Sequence, residues 1–184
     1  MEYRPELVGG HLALDLINTV AWRLDVRRRV DRIADPVNLH RWLTAGGLEP
    51  SDQVTDDERD QLVHCREAAY VVLHPLAVGA QPGAADLAVL RELIEDAVRN
   101  ASLVSARPLT WRTETIVDGV RLSVWRLFED EDLSRLRQCD DDGCGWLFLD
   151  RSKNGSRRWC SSADCGNRAR ARRHYQRRQA GASA

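Results

Sequence analysis

No apolar run in the sequence approaches the roughly 18 residues that a membrane-spanning helix requires. The first residues also lack the apolar stretch of a secretory signal, so we expect a cytoplasmic protein that makes no membrane contact. Of the 184 residues, 43% are hydrophobic and 30% are charged, which favours one or two small folded domains over disorder.

Lysine is almost absent, since Lys153 is the only one, and arginine supplies the other basic side chains. The net charge of -1 conceals an uneven distribution, because residues 139–184 carry ten basic and five acidic side chains. Arginine suits phosphate and base-edge recognition, although genome composition also explains so uniform a preference over lysine. The clustering itself predicts a partner that carries phosphates.

The known short signatures of catalysis are missing too. The sequence has no Gly-Lys-Ser/Thr phosphate loop, no Gly-x-Ser-x-Gly elbow and no His-Glu-x-x-His pair. We therefore expect a protein that is not an enzyme, with an unmarked catalytic site as the open alternative.

Residues 1–130 are predicted to form an α-rich domain. Helical periodicity covers residues 11–20, a helix opens at Asp35-Pro36, and a capping box of Thr55 with Glu58 starts a long helix that should end or kink near Pro75. A further helix is expected over residues 85–98 and a hairpin over residues 102–115. Asp118-Gly119 suits a hairpin turn, but the apolar spacing after it favours a helix to about Glu129.

Residues 131–184 contain four of the five cysteines in two pairs with equal spacing. Four residues separate the members of each pair and fifteen separate the pairs, the ligands being Cys139, Cys144, Cys160 and Cys165. This spacing predicts one structural Zn²⁺ per chain, because four thiolates close a tetrahedron around a soft, redox-silent ion. The alternatives are an iron or iron–sulfur occupant and four independent core or redox cysteines.

The residues between and after the cysteine pairs predict a small finger. Strands over residues 146–149 and 157–159 should form a hairpin around the turn at Asn154-Gly155, and a helix should follow Cys165. The fold class is therefore α+β: an α-rich domain with a short hairpin, then a treble-clef-like zinc finger made of a hairpin and a C-terminal helix. The acids Asp140, Asp141 and Asp142 are expected to form a solvated turn between two ligands.

The finger resembles the CGNR zinc finger family, named for the tetrad Cys165-Gly166-Asn167-Arg168. The strings Cys144-Gly145-Trp146-Leu147-Phe148-Leu149-Asp150 and Arg157-Arg158-Trp159-Cys160 carry the same resemblance. The opening Gly9-Gly10-His11-Leu12-Ala13-Leu14-Asp15 with Asn18-Thr19 is similar to the ABATE domain that precedes this finger. The resemblance implies a bacterial transcription regulator whose finger binds zinc and DNA.

The helix after Cys165 is the expected nucleic-acid surface, since its arginines form ridges that can contact phosphates. The candidate residues are Arg157, Arg158, Asn167, Arg168, Arg170, Arg172, Arg173 and Arg177. Asn167, near the beginning of the helix, can read an adenine or cap the turn, and capping the turn is favoured. The arginine ridges have a plainer explanation as a solvated face or as charge compensation for the thiolates. Arg27, Arg28 and Arg29 offer a second contact region, for which a solvated loop is favoured.

Three polar residues of the first helix, His11, Asp15 and Asn18, form a candidate ligand pocket, although tying the helix to nearby backbone is favoured. The sequence thus predicts a DNA-binding transcription regulator. Further expectations are that a small-molecule effector binds its N-terminal domain and that the protein forms a homodimer. The alternative is a protein-interaction or RNA-binding adaptor, in which Trp146, Trp159 and Tyr175 stack on bases.

Overall fold

The computed structural model describes residues 3–50 and 54–182. These residues contain six α-helices and three two-stranded antiparallel sheets. The helices are α1 (Leu12–Ile17), α2 (Pro36–Ala45), α3 (Asp56–Ala77), α4 (Ala84–Asn100), α5 (Ile116–Asp130) and α6 (Cys165–Ala182). The sheets pair β1 (Val20–Ala21) with β2 (Val30–Asp31), β3 (Ser102–Ala106) with β4 (Leu109–Arg112), and β5 (Leu136–Gln138) with β6 (Leu147–Leu149). The expected α+β class is confirmed.

Local capping chemistry sets the beginnings of α2 and α3. Asp35 accepts hydrogen bonds from the first turn of α2, where Pro36 is the first residue. The capping box of α3 is present, with the Glu58 amide donating to Thr55 at 3.2 Å and the Thr55 amide donating to Glu58 at 2.8 Å. α3 ends two residues after Pro75, as expected.

The hairpin expected over residues 102–115 and the helix favoured after Asp118-Gly119 are both present. β3 and β4 form the hairpin expected over residues 102–115, and Gly119 lies within α5, so Asp118-Gly119 is helical. The first helix is shorter than predicted: α1 stops at Ile17, and Val20 belongs to β1. None of the described helices is long and apolar enough to cross a membrane.

The main hydrophobic core joins the helices to the finger. α1, α3 and α5 pack together, and the fully buried Leu136, Leu147 and Leu149 of β5 and β6 belong to the same core. The predicted boundary at residue 130 falls where α5 gives way to a 3-10 turn at Leu133–Arg135. The finger is therefore built onto the helical domain and shares its apolar interior.

The predicted hairpin of the finger was wrong in its pairing. β6 lies where a strand was expected, but it pairs with β5, in the register Leu136 to Leu149 and Gln138 to Leu147. Residues 157–159 form no strand. The reason is that Cys139 and Cys144 lie within the connection of the hairpin, so the strand before the first cysteine is the nearest partner for β6. Hydrogen bonds to side chains and isolated backbone groups hold residues 157–159 instead.

Candidate metal centre and arginine helix

Four cysteine side chains meet beneath the beginning of α6. Cys139 follows β5, Cys144 precedes β6, Cys160 lies in the loop after it, and Cys165 is the first residue of α6. Their Sγ atoms all lie within 4.8 Å of one another, with Cys144 to Cys160 at 3.7 Å and Cys160 to Cys165 at 3.4 Å. All four residues are buried, and no His or carboxylate from the part of the chain that the structure describes joins the group.

This arrangement fits tetrahedral zinc. A Zn–S bond of about 2.3 Å places the sulfurs of a tetrahedron about 3.8 Å apart, close to the observed separations. Four thiolates this close repel one another, so they cannot all ionise without a cation. Contacts with the other three thiols lower the pKa of Cys139 and raise that of Cys160, and contacts with Cys139 and Cys144 raise the pKa of Cys165. A divalent ion removes this conflict, and four closed thiolates make the zinc site structural.

Tight turns hold the ligands in place. The Cys139 amide donates to the Trp146 carbonyl at 2.8 Å, and the Cys144 amide donates to the Asp141 carbonyl at 2.9 Å. Gly145 has φ +71°, and a Cβ there would lie 2.9 Å from Cγ of Leu24. Only glycine combines this backbone with so close a neighbour, so the residue after Cys144 is fixed by geometry.

Backbone hydrogen bonds join the finger to the helical domain along a seam. The Arg23 and Leu24 amides donate to the carbonyls of Cys144 and Gly143 at 3.0 and 3.3 Å. Asn18 makes a paired contact with Leu147, donating to its carbonyl and accepting from its amide, both at 2.9 Å. The metal centre is therefore held against the helical domain as well as by its own turns.

A buried carboxylate anchors one face of α6. Asp141, whose side chain has no exposed surface, accepts hydrogen bonds from Arg168 at 2.7 Å and Arg172 at 2.6 Å. Burial raises the pKa of Asp141, but these hydrogen bonds outweigh it and hold the pKa below its usual range. The expectation of a solvated acidic turn was thus wrong for Asp141, while Asp140 pairs with Arg158 and Asp142 is exposed.

Arg168 also contacts an aromatic side chain of the helical domain. Its guanidinium lies 4.3 Å from the ring centroid of Trp22, and the guanidinium of Arg28 lies 3.2 Å from the same ring. Arg168 further donates to Sγ of Cys165 at 2.9 Å. It acts here as a structural link and as charge compensation for a thiolate, and Trp22 is a partner that the sequence analysis missed.

The remaining candidate nucleic-acid residues divide by their contacts. Arg157 stacks on Phe148 at 4.1 Å and donates to the Val8 carbonyl at 2.9 Å, so it braces the finger internally. The side-chain NH2 of Asn167 donates to the Ala163 carbonyl and so holds the turn that precedes α6, and its Oδ1 accepts from Arg170 instead of from a backbone amide. Arg173 and Arg177 are exposed and form no ion pair with any described residue.

The predicted pocket residues separate in the structure. Asp15 and Asn18 are buried and line a cavity of about 480 Å³, whereas His11 lies outside its lining. His11 caps α1, accepting from the Ala13 amide at 3.3 Å, and burial lowers its pKa. Burial raises the pKa of Asp15 to about 6, although the Gly9 amide donates to its carboxylate at 2.8 Å. The Trp146 indole donates to the Val20 carbonyl at 2.8 Å, which places it in the seam.

Fold and site together define a zinc protein in which a helical domain carries a four-cysteine finger and an arginine-rich helix. The CGNR zinc finger model matches residues 135–178, and the ABATE model, described as "Putative stress-induced transcription regulator", matches residues 10–129. The chain belongs to the ABATE family and carries a CGNR zinc finger, which confirms the resemblance seen in the sequence. None of the curated proteins matches the chain with significance.

Proposed function

We propose that this protein is a transcription regulator, not an enzyme, in which the zinc centre presents α6 to duplex DNA. The observation that carries the proposal is the division of α6 into two faces. Arg168 and Arg172 face the buried Asp141 and are tied to it. Arg170, Arg173 and Arg177, at helical positions i, i+3 and i+7, lie on the other side and are exposed.

The dimensions of α6 suit this role. Its 18 residues correspond to a helix of about 27 Å, and the major groove of B-DNA is wide enough to admit an α-helix. The ridge of Arg170, Arg173 and Arg177 can contact phosphates on entering the groove, and Arg178 adds a fourth exposed guanidinium. Arg157, Arg168 and Arg172 leave the interface proposed from sequence, because the Val8 carbonyl and the buried Asp141 hold their guanidinium groups. Arg170 stays in it, since its partners, Asn167 and the Ser162 carbonyl, are exposed like Arg170 itself.

The family description, that of a transcription regulator, favours DNA over other acidic partners. The proposal implies that the protein acts in the bacterial cytoplasm. One finger is a small reader of DNA, so we extend the proposal to a homodimer that presents two such helices. We also assign a small-molecule effector to the helical domain. Light scattering of the free protein and of its complex with duplex DNA tests the dimer, which two chains per complex would support and one chain would contradict.

The test of DNA binding is a fluorescence anisotropy titration of labelled duplex DNA by the zinc-loaded protein across a salt series. The variant is Arg170→Ala/Arg173→Ala/Arg177→Ala, and the matched control removes the same charge from exposed arginines elsewhere, Arg91→Ala/Arg99→Ala/Arg112→Ala. One phosphate contact by each of the four exposed arginines of α6 that stay in the interface gives a slope of log affinity against log salt of about -3.6 per chain, and losing three contacts makes it shallower by about 2.7.

The α6 variant should bind more weakly and with the shallower slope, while the control keeps most of the affinity. Equal losses in both variants would show that the total charge, and not α6, is responsible. Absence of binding by the zinc-loaded wild type at low salt would overturn the proposal and leave a protein or RNA adaptor as the function.

A further inference from the structure

A cavity of about 480 Å³ lies where the helical domain meets the finger. Asp15 and Asn18 of α1 and Trp42 of α2 form part of its lining, the finger contributes Trp146, and the N-terminal segment contributes Arg4 and Glu6. Its volume falls within the roughly 300–1,000 Å³ typical of clefts that hold small molecules. The cavity is thus large enough for a small ligand and has walls from both parts of the chain.

Four charged side chains of this cavity lack a counterion. Arg4, Arg32, Glu6 and Asp15 line it, and none of them forms an ion pair with another residue in the described ranges. Asp15 is buried and Arg32 is partly buried, whereas Arg4 and Glu6 are exposed and are free to turn toward a ligand. Two cations and two carboxylates around one space match a ligand that carries both charges. Arginine recognises carboxylates through paired hydrogen bonds, and carboxylates accept from an ammonium group.

The indole groups supply the apolar part of the site and one further polar group. Trp42 is only 1% exposed, and its buried Nε1 has no hydrogen-bond partner among the described residues. A buried donor without a partner is uncommon in native structures and indicates that an acceptor is missing. Trp146 is partly buried on the finger side and offers a second aromatic surface.

We propose that the cavity binds a free α-amino acid with an apolar side chain. The ligand carboxylate is held by Arg4 and Arg32 and accepts from Nε1 of Trp42, and its ammonium group is held by Glu6 and Asp15. Its side chain packs against the rings of Trp42 and Trp146. This inference rests on the regulator function proposed above and deepens it, because it names the chemical class of the effector and the site that binds it.

The position of the cavity connects the ligand to α6. Glu6, Arg32 and Trp146 also line a second cavity, of about 250 Å³, which reaches Cys165 and Arg168 at the beginning of α6. A ligand that binds more tightly to one arrangement of these walls shifts the protein toward that arrangement. The effector is therefore placed where it can change how α6 is presented to DNA.

Isothermal titration calorimetry tests the proposal on the full-length, zinc-loaded protein without DNA. Each of the twenty standard amino acids is titrated separately at millimolar concentration, and at least one with an apolar side chain should bind. For the tightest of these, the amine that lacks the carboxylate and the acid that lacks the amino group should each bind at least tenfold more weakly. Arg32→Ala and Glu6→Gln should also weaken binding at least tenfold, whereas Arg91→Ala on α4 should leave it unchanged.

Two results would overturn the inference. One is that no amino acid releases or absorbs heat while thermal melts show that the protein is folded. The other is that the acid without an amino group binds as tightly as the amino acid, which would remove the role of Glu6 and Asp15. Because DNA is absent from the assay, these failures leave the DNA-binding proposal intact, and a failure of DNA binding leaves the ligand result intact.

Discussion

Replacing Asn18 by alanine tests the seam between the finger and the helical domain. Asn18 is 3% exposed, and both of its hydrogen bonds to the fully buried Leu147 measure 2.9 Å. Asn18→Ala leaves the Leu147 amide and carbonyl without these partners, each at a cost of about 1–3 kcal/mol. Allowing for local relaxation, we expect the free energy of unfolding to fall by about 3 kcal/mol, which lowers the thermal midpoint by roughly 6–12 °C in a chain of this size.

The assay is thermal and urea unfolding of the zinc-loaded protein, followed by tryptophan fluorescence and circular dichroism with the zinc content measured in parallel. Asn154→Ala is the matched control, because Asn154 lies exposed in a turn and its side chain makes no hydrogen bond to a described residue. Its effect should stay within about 0.5 kcal/mol. If Asn18→Ala unfolds at the same midpoint as Asn154→Ala, the seam contributes nothing and the reasoning fails.

Three further predictions follow from the metal centre and the buried charges. Cys160→Ala should abolish stoichiometric zinc binding. It should also lower the unfolding midpoint of the whole chain, because β5 and β6 share the main core. Metal analysis that still finds one zinc per chain would contradict the four-cysteine site. Burial raises the pKa of Asp15 to about 6, so the folded protein keeps a proton that the unfolded chain releases near pH 4, and stability falls as the pH rises between these values. The stability of Asp15→Asn relative to wild type should therefore increase from pH 4 to pH 6, and a constant difference across urea titrations at several pH values would refute the assignment. Arg168→Ala should lower the free energy of unfolding by about 2 kcal/mol, since it removes one partner of the buried Asp141. Arg178 is exposed, so Arg178→Ala should change the free energy of unfolding by less than about 0.5 kcal/mol. Equal chemical denaturation curves for the two variants would contradict the structural role of Arg168.

Features set by neighbouring residues could be predicted from the sequence. The helix beginnings at Asp35 and Thr55 depend on hydrogen bonds within one turn, and both are present. The cysteine spacing also carries its own geometry, because two short loops and one longer connection suffice to bring four thiols together. These elements need no knowledge of the rest of the fold.

Features that depend on distant contacts were missed. The strand partner of β6 lies before the first cysteine, and the short segment at Leu136–Gln138 has too few residues to show a periodicity. Asp141 is buried by arginines 27 and 31 residues further along the chain. Arg168 belongs to the same helix as Arg173, yet Trp22 and Asp141 hold it inside, and no local pattern distinguishes the two arginines.

Competition for the zinc-loaded protein tests the central claim, that α6 binds DNA, most directly. A complex with labelled duplex DNA is challenged with unlabelled duplex DNA, duplex RNA and an acidic polypeptide, each at the same concentration of negative charge. We expect duplex DNA to displace the label most effectively, because an α-helix enters the wide major groove of B-DNA but not the narrow one of A-form RNA. Displacement by RNA or by the polypeptide at lower concentrations than DNA would contradict it.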